Sequence, residues 1–277
     1  MNASTKNLPL PLRPAPEPMD PELAPLLAAP LADAYASPAP AALRGRLAQR
    51  VARSLRAEAA LHTRRRRQLQ ASHPAPGVTE QTLYQAAAGA ALRPGEPLVA
   101  RLVELQPGAS YEPPPATQRD WLVLGGTVQL AGQELALRDY HVAPAGVAAR
   151  AVAGAAGALL FVREAALPAV PGEPATTVRD AEAGWPEYAP GIRRRVLWQR
   201  DGQAAMLYHT EPGASVPHHG HGHDEECLMV QGELFLDDWL LQAGDYQLAP
   251  AGTGHQVTHT DTGVVLYAHG DLDLRFV

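Results

Sequence analysis

"VPHHGHGHDEECLMVQG", residues 216–232, holds four histidines and three acids within nine residues and then runs into apolar chain. A solvated His-rich loop explains such a tract by composition alone. A metal site asks for more: ordered ligands on one face of a strand, and another ligand arriving from a different strand. The spacing meets that demand. Gly213, His219, His221, Glu225 and Gly232 give G-x5-H-x-H-x3-E-x6-G, and Gly244, Pro250, Gly252 and His255 give G-x5-P-x-G-x2-H. Residues two apart on a strand share a side, so His219, His221 and Glu225 face one cavity and Glu226, one step out of phase, does not. "LFLDDWLLQA" between the halves suits a hairpin, and Gly244 and Gly252 suit tight turns. His255 then arrives from a neighbouring strand. Three imidazoles and a carboxylate suit one divalent first-row metal such as Fe, Mn, Ni, Cu or Zn.

The same framework occurs twice. "PGVTEQTLYQ" (76–85) matches "PGIRRRVLWQ" (190–199), "RLVELQPGAS" (101–110) matches "MLYHTEPGAS" (206–215), and "RDYHVAPAG" (138–146) matches "GDYQLAPAG" (244–252). Matched blocks in one order imply a duplicated module, 76–165 and 190–277, joined by a Pro-rich linker at 166–189. Short apolar segments divided by Gly, Pro and Asp turns have strand lengths, so each module reads as an all-β sandwich or barrel. The first copy lacks the ligands. Pro113–Pro115 and Ala116 stand at the histidine positions, Asp120 or Trp121 at the glutamate, and Ala149 at the last histidine, while Pro144 and Gly146 persist. Module one is therefore expected to keep the fold and bind no metal.

The other histidines read differently. His218 and His223 are expected as solvated loop residues, His223 sharing the ligand face. His209 and His259 are candidates for the cavity mouth, and Tyr246, Gln247, Arg275 and His259 for a substrate clamp. Cys227, in an apolar run, reads as a buried inert thiol.

The first 75 residues form a separate arm. Residues 7–40 are rich in Pro and Ala, with a short helix expected near "MDPELAPLLAA". A basic amphipathic helix is expected over about 40–72: Leu43, Leu47, Val51 and Leu55 recur every fourth residue, and nine arginines lie between Arg44 and Arg67. Either it packs on the barrels with a solvated basic face, or it binds a partner.

Bulk properties limit the alternatives. The chain has 277 residues, 46% hydrophobic, with 27 prolines and 24 glycines, enough for two small cores with many turns. Its net charge of −6 argues against general nucleic-acid binding. A single cysteine, Cys227, rules out an intramolecular disulfide and suits a reducing compartment. Neither a secretory signal nor a membrane span is evident, so the expected location is cytoplasmic.

The two motifs resemble those of the cupin superfamily in residue type and spacing, except that His259 stands where an Asn often follows the last histidine. The resemblance implies two tandem jelly-roll barrels preceded by an α-helical arm. It also implies a metal on His219, His221, Glu225 and His255, with Glu226 as the competitor of Glu225. The tandem arrangement, the H-x-H-x3-E stretch, "GDYQLAPAGTGH" and the helix-bearing extension are similar to the ChrR family of cupin-like anti-sigma factors. That likeness implies zinc, a sigma factor or other protein bound through the arm, and a small molecule or oxidant sensed in the C-terminal barrel. A homodimer through barrel edges is a further expectation. One departure stands out: residues 1–75 hold no cysteine and only His62 and His73, so the zinc site of the family's sigma-binding domain is absent. The alternative expectation is a metal-dependent dioxygenase or related enzyme.

Overall fold

The computed structural model describes residues 43–49, 51 and 61–276. Residues 43–49 and 51 are helical, with Leu43, Leu47 and Val51 exposed. The helix expected near "MDPELAPLLAA" lies outside the described residues. Among those residues no helix is long and apolar enough to cross a membrane.

The helix expected over about 40–72 does not extend through its second half. His62–Arg64 and Ala71–Ala75 are strands, separated by a short 3-10 turn at Arg66–Gln68. Sheet edges overrule the helical pattern here. His62–Arg64 pairs antiparallel with Tyr246–Ala249. Asp245 receives the Arg66 backbone N–H at 2.9 Å and the Arg65 guanidinium at 2.8 Å.

Residues 61–276 form one compact unit built on two large antiparallel sheets. One runs Thr176–Val178, Tyr140–Ala143, Gln118–Leu130, Ala151–Ala165, Pro97–Leu105, Val78–Gln85, Ala71–Ala75. The other repeats that order with His62–Arg64, Tyr246–Ala249, Glu225–Leu236, Val264–Asp271, Gln203–Thr210, Ile192–Arg200, Glu187–Ala189. Each sheet's first strand comes from outside its own module. The strand ahead of module one caps module two, and Thr176–Val178, in the expected linker, caps module one at Tyr140–Val142. Each capping strand pairs a strand that would otherwise form the edge and leaves a three-residue edge in its place, a shorter template for aggregation.

Strand alternation builds three cores. Val103, Trp121, Val123, Leu130 and Leu160 fill the first barrel, and Met229, Leu234, Leu236, Leu241 and Leu266 line the second. The intervening positions of both modules, among them Leu102, Leu122, Phe161, Leu207, Leu228 and Tyr267, meet in a shared core between the sheets. Burying a side chain of this size contributes about 1.5–3 kcal/mol. A charged network lies within the shared core: the fully buried Arg163 contacts Glu226, Asp120 at 3.5 Å and the Gly95 carbonyl at 2.5 Å. Tyr246 donates to Glu226 at 2.7 Å. Burial pushes the Asp120 and Glu226 carboxyls up, while the acids around Arg163 keep its guanidinium charged.

Candidate metal centre

His219, His221, Glu225 and His255 converge at one end of the second barrel. Ligand atoms of His219, His221 and Glu225 lie within 4.8 Å of one another. His255 joins them: its ring centroid is 5.7 Å from that of His219 and 5.0 Å from that of His221, and its Nε2 is 3.6 Å from Glu225 Oε2. They do not lie on one strand. His219–Gly220 is a two-residue strand, His221 follows it just before the bend at Gly222 and His223, and the strand carrying Glu225 begins at that residue.

The connecting loop is held by backbone hydrogen bonds. His219 faces His255 directly in an antiparallel pair, and Arg275–Phe276 flanks the same short strand. The His221 N–H donates to the Thr253 carbonyl at 2.9 Å, and the Gly252 N–H donates to the His221 carbonyl at 2.8 Å. Gly252 has φ +84°, a conformation that favours glycine, and a Cβ at Gly254 would collide with the His219 carbonyl.

Each imidazole is oriented through its Nδ1. His219 Nδ1 lies 2.9 Å from the Pro217 carbonyl, His255 Nδ1 3.2 Å from Asp237 Oδ2, and His221 Nδ1 3.5 Å from the Thr253 hydroxyl. Donation from Nδ1 to the Pro217 carbonyl and to Asp237 leaves the Nε2 lone pairs of His219 and His255 free, the usual arrangement of a metal-ligating histidine. His221 Nε2 is buried without a hydrogen-bond partner, although Glu225 Oε2 is 3.0 Å away. Such an orphaned nitrogen costs free energy unless something accepts its lone pair or proton. Burial pushes the Glu225 carboxyl up, and the imidazoles of His221, His255 and His219 more than offset it, holding it down to about 2. Burial lowers the His219 imidazole. Four converging donors, three of them imidazoles with one orphaned nitrogen, fit a divalent ion.

Asp237 was not singled out by sequence reasoning. It occupies the hairpin turn with φ +54°, and its second oxygen accepts the Gln256 N–H at 2.7 Å and the Val257 N–H at 3.1 Å. The Asp-Asp pair of "LFLDDWLLQA" was the available signal. Glu226 points away from the site into the buried network, as its strand phase requires. His223 bonds Asp271 at 2.5 Å and His218 meets Gln256 at 2.9 Å. His209 packs on Trp185, and His259 stacks on Phe235 at 4.8 Å. His269 is buried between the modules beside Arg163. None of the proposed clamp residues lines the cavity: Tyr246 binds Glu226, Gln247 donates to Thr63, and Arg275 is exposed beside Asp271.

A cavity of about 60 Å³ adjoins His219 and Glu225. Leu234, Leu236, Leu266 and Ala268 contribute apolar walls, Tyr208 and Thr258 contribute hydroxyls, and Cys227 faces into it. Burial raises the Cys227 thiol pKa well above its ordinary value, as the reading of an inert thiol requires.

The first barrel corrects one alignment. Arg119 pairs with Ala143 as Glu225 pairs with Ala249, so the counterpart of Glu225 is Arg119, with Asp120 matching Glu226 and Trp121 matching Cys227. The segment from Gly108 to Arg119 is one residue shorter than that from Gly213 to Glu225, which hid the match. Arg119 is buried, donates to the Pro114 carbonyl at 2.7 Å and lies 3.5 Å from Glu164. A fixed guanidinium thus occupies the position of a carboxylate ligand, and Ala149 packs in the core where His255 stands in the second copy.

Comparison with known proteins agrees with this architecture. Residues 173–273 match the family model of the ChrR Cupin-like domain. Among solved structures, a candidate dioxygenase of Nostoc punctiforme superposes with TM-score 0.58 at 18% identity, covering 72% of this chain and 75% of that one. Oxalate decarboxylase of Bacillus subtilis, studied for its Mn(II) centres, gives 0.57 at 16% identity over 76% and 77%. A candidate glyoxylate-induced protein of Pseudomonas aeruginosa gives 0.58 at 16% over 75% and 86%. No curated protein matches the chain. The fold is a tandem cupin, and its C-terminal barrel is ChrR-like.

Proposed function

We propose that the C-terminal barrel holds one divalent metal ion on His219, His221, Glu225 and His255 and uses it to bind a small molecule in the adjoining cavity. The observation that carries this reading is the set of three imidazoles turned by their Nδ1 contacts so that Nε2 atoms gather around Glu225. A metal serving only to brace the barrel needs a closed shell, whereas here a cavity opens beside two of the four donors. The metal, when bound, supplies a Lewis acid for a ligand oxygen. This chain's residues do the rest. Asp237 and the Pro217 carbonyl fix two imidazoles, the leucine walls exclude water, and the Thr258 hydroxyl, buried without a partner, offers a hydrogen bond. A small-molecule enzyme, a dioxygenase or decarboxylase in type, is the activity this arrangement supports, with zinc, iron and manganese all compatible with the donors.

Metal analysis of the full chain purified without chelators tests the centre. About one metal per chain is expected in the wild type, and its loss in His255→Ala. No metal in either protein would sink the reading. Oxygen consumption or CO2 release by the loaded protein then separates the two chemistries.

The match of residues 173–273 to the ChrR Cupin-like domain favours a second reading, a regulator whose ligand state is relayed to a sigma factor through the arm. The exposed Leu43, Leu47 and Val51 of the N-terminal helix provide an apolar contact stripe. With no cysteine in residues 1–75, such a contact works without a zinc–thiolate site. A two-hybrid assay against extracytoplasmic-function sigma factors, lost on Leu47→Glu, would support it. No interaction with any of them would remove it.

A further inference from the structure

The walls of the cavity restrict the charge of what it can hold. Its lining contains one acid, Glu225, and neither lysine nor arginine. The first barrel shows that this fold can bury a guanidinium at the matching position, Arg119, but the second barrel does not do so. Arg194, whose strand borders the cavity, is not part of the lining: it donates to the Leu272 carbonyl at 2.6 Å, lies over the Tyr188 ring at 4.0 Å and meets the cavity wall only through the Tyr208 hydroxyl. A divalent ion with three neutral imidazoles and Glu225 carries one net positive charge. One ligand anion neutralises it. A second anionic charge would sit against leucine and alanine with no cationic side chain in the lining to pair with it, and burying a charge in apolar surroundings is strongly unfavourable.

Size and polarity limit the ligand further. A water position takes roughly 10–15 Å³ of such space, so 60 Å³ admits a ligand of only a few non-hydrogen atoms. Most of the wall is aliphatic. The hydroxyls of Thr210 and Thr260 are already committed, to the Val264 and Glu233 carbonyls. The Thr258 hydroxyl is buried without a partner and remains for the ligand.

Building on the metal reading above, we infer that the barrel's ligand class is the small monoanion with an apolar tail, such as a short-chain monocarboxylate, and not a dicarboxylate. The separation matters because oxalate decarboxylase shares the tandem fold at 16% identity, and the fold alone does not carry the substrate across.

The test loads the full-length protein with Co(II) and follows its visible absorption during titration with propionate, oxalate and hydroxyacetone at neutral pH. Propionate and hydroxyacetone are equal in non-hydrogen atoms and differ in charge. Saturable spectral change with propionate is expected, with a Kd about tenfold or more below those of the other two. Thr258→Val is expected to weaken propionate binding about tenfold to a hundredfold, since a hydrogen bond to a charged group contributes about this much, while Co(II) content is retained. Oxalate binding as tightly as propionate would overturn the charge argument, and hydroxyacetone doing so would overturn the need for an anion. Failure to take up stoichiometric Co(II) is a separate result that overturns the metal reading and this inference with it.

Discussion

At the scale of single residues, function in the second barrel depends on strand phase. Glu225 and Glu226 are neighbours with opposite fates: one joins three imidazoles, the other joins Arg163 between the modules. The two-residue period made that division legible from sequence, even though His219 lies on a short strand and His221 in the loop after it, and not on one continuous strand with Glu225. What was not legible was the residue that orients His255. Asp237 is remote in sequence, in a turn that reads as ordinary hairpin chemistry, and becomes relevant only when the hairpin folds over the site. Asp237→Asn is expected to lower metal affinity about tenfold to a hundredfold, the usual effect of removing a carboxylate behind a ligating histidine. Competition with a chromophoric chelator measures this, and unchanged affinity would show that His255 needs no such support. The counterpart of Glu225 was obscured for another reason, a one-residue difference in loop length that only strand register resolves. Arg119→Met strips two proline carbonyls of their donor and should destabilise the chain by about 1–3 kcal/mol in urea unfolding, with the metal content of the second barrel unchanged.

At the scale of elements, the segment 61–75 shows where local pattern loses to pairing. The arginine run and the leucine spacing upstream favour a continuing helix. However, Pro74 sits in a strand, where helix geometry would forbid it, and His62–Arg64 finds an open edge at Tyr246–Ala249. Neither partner is visible from local sequence. Asp245 joins the two, accepting the Arg66 N–H, the Arg65 guanidinium and the Gln242 N–H at 3.1 Å. Asp245→Ala removes charge-assisted bonds worth about 1.5–3 kcal/mol each at most and is expected to release the strand from the edge. Limited trypsin digestion would then cut within Arg64–Arg67 faster than in the wild type, with the barrels intact. An unchanged cleavage rate would mean that strand pairing alone holds the segment. The strand displaced in this way lies one strand from Glu225, through the pairing of Glu225 with Ala249, so the same variant would also show whether the arm's anchor affects metal affinity.

At the scale of the whole unit, the modules are joined by exchanged edge strands, a shared apolar core and charges within it. Duplication and barrel class were legible from the matched blocks, because framework glycines and prolines repeat wherever turns repeat. The exchange was not, since the strands involved lie in segments that read as arm and linker. Arg163→Met would leave Glu226 and Asp120 buried against each other without their cation, and breaking a buried pair in this way typically costs about 3–5 kcal/mol. The linker's Asp180 works at the rim of the same junction. Its carboxylate bridges Arg138 of module one at 2.8 Å and Arg195 of module two at 2.7 Å. Burial pushes this carboxyl up, but the two guanidinium groups more than offset it, so it titrates below its ordinary value of 3.8. A carboxyl depressed in the folded state adds stability above its unfolded value and loses it as pH falls through the folded one. Asp180→Asn is therefore expected to be less stable than the wild type from neutral pH down to about pH 4, with the gap closing at lower pH. Because the group is partly exposed, the gap should be modest, about 1 kcal/mol. Urea unfolding across that range reads it directly. A gap that stays constant into acid would show that the Asp180 bridge acts through shape and neutral hydrogen bonding, and that charge at the rim does not hold the modules together.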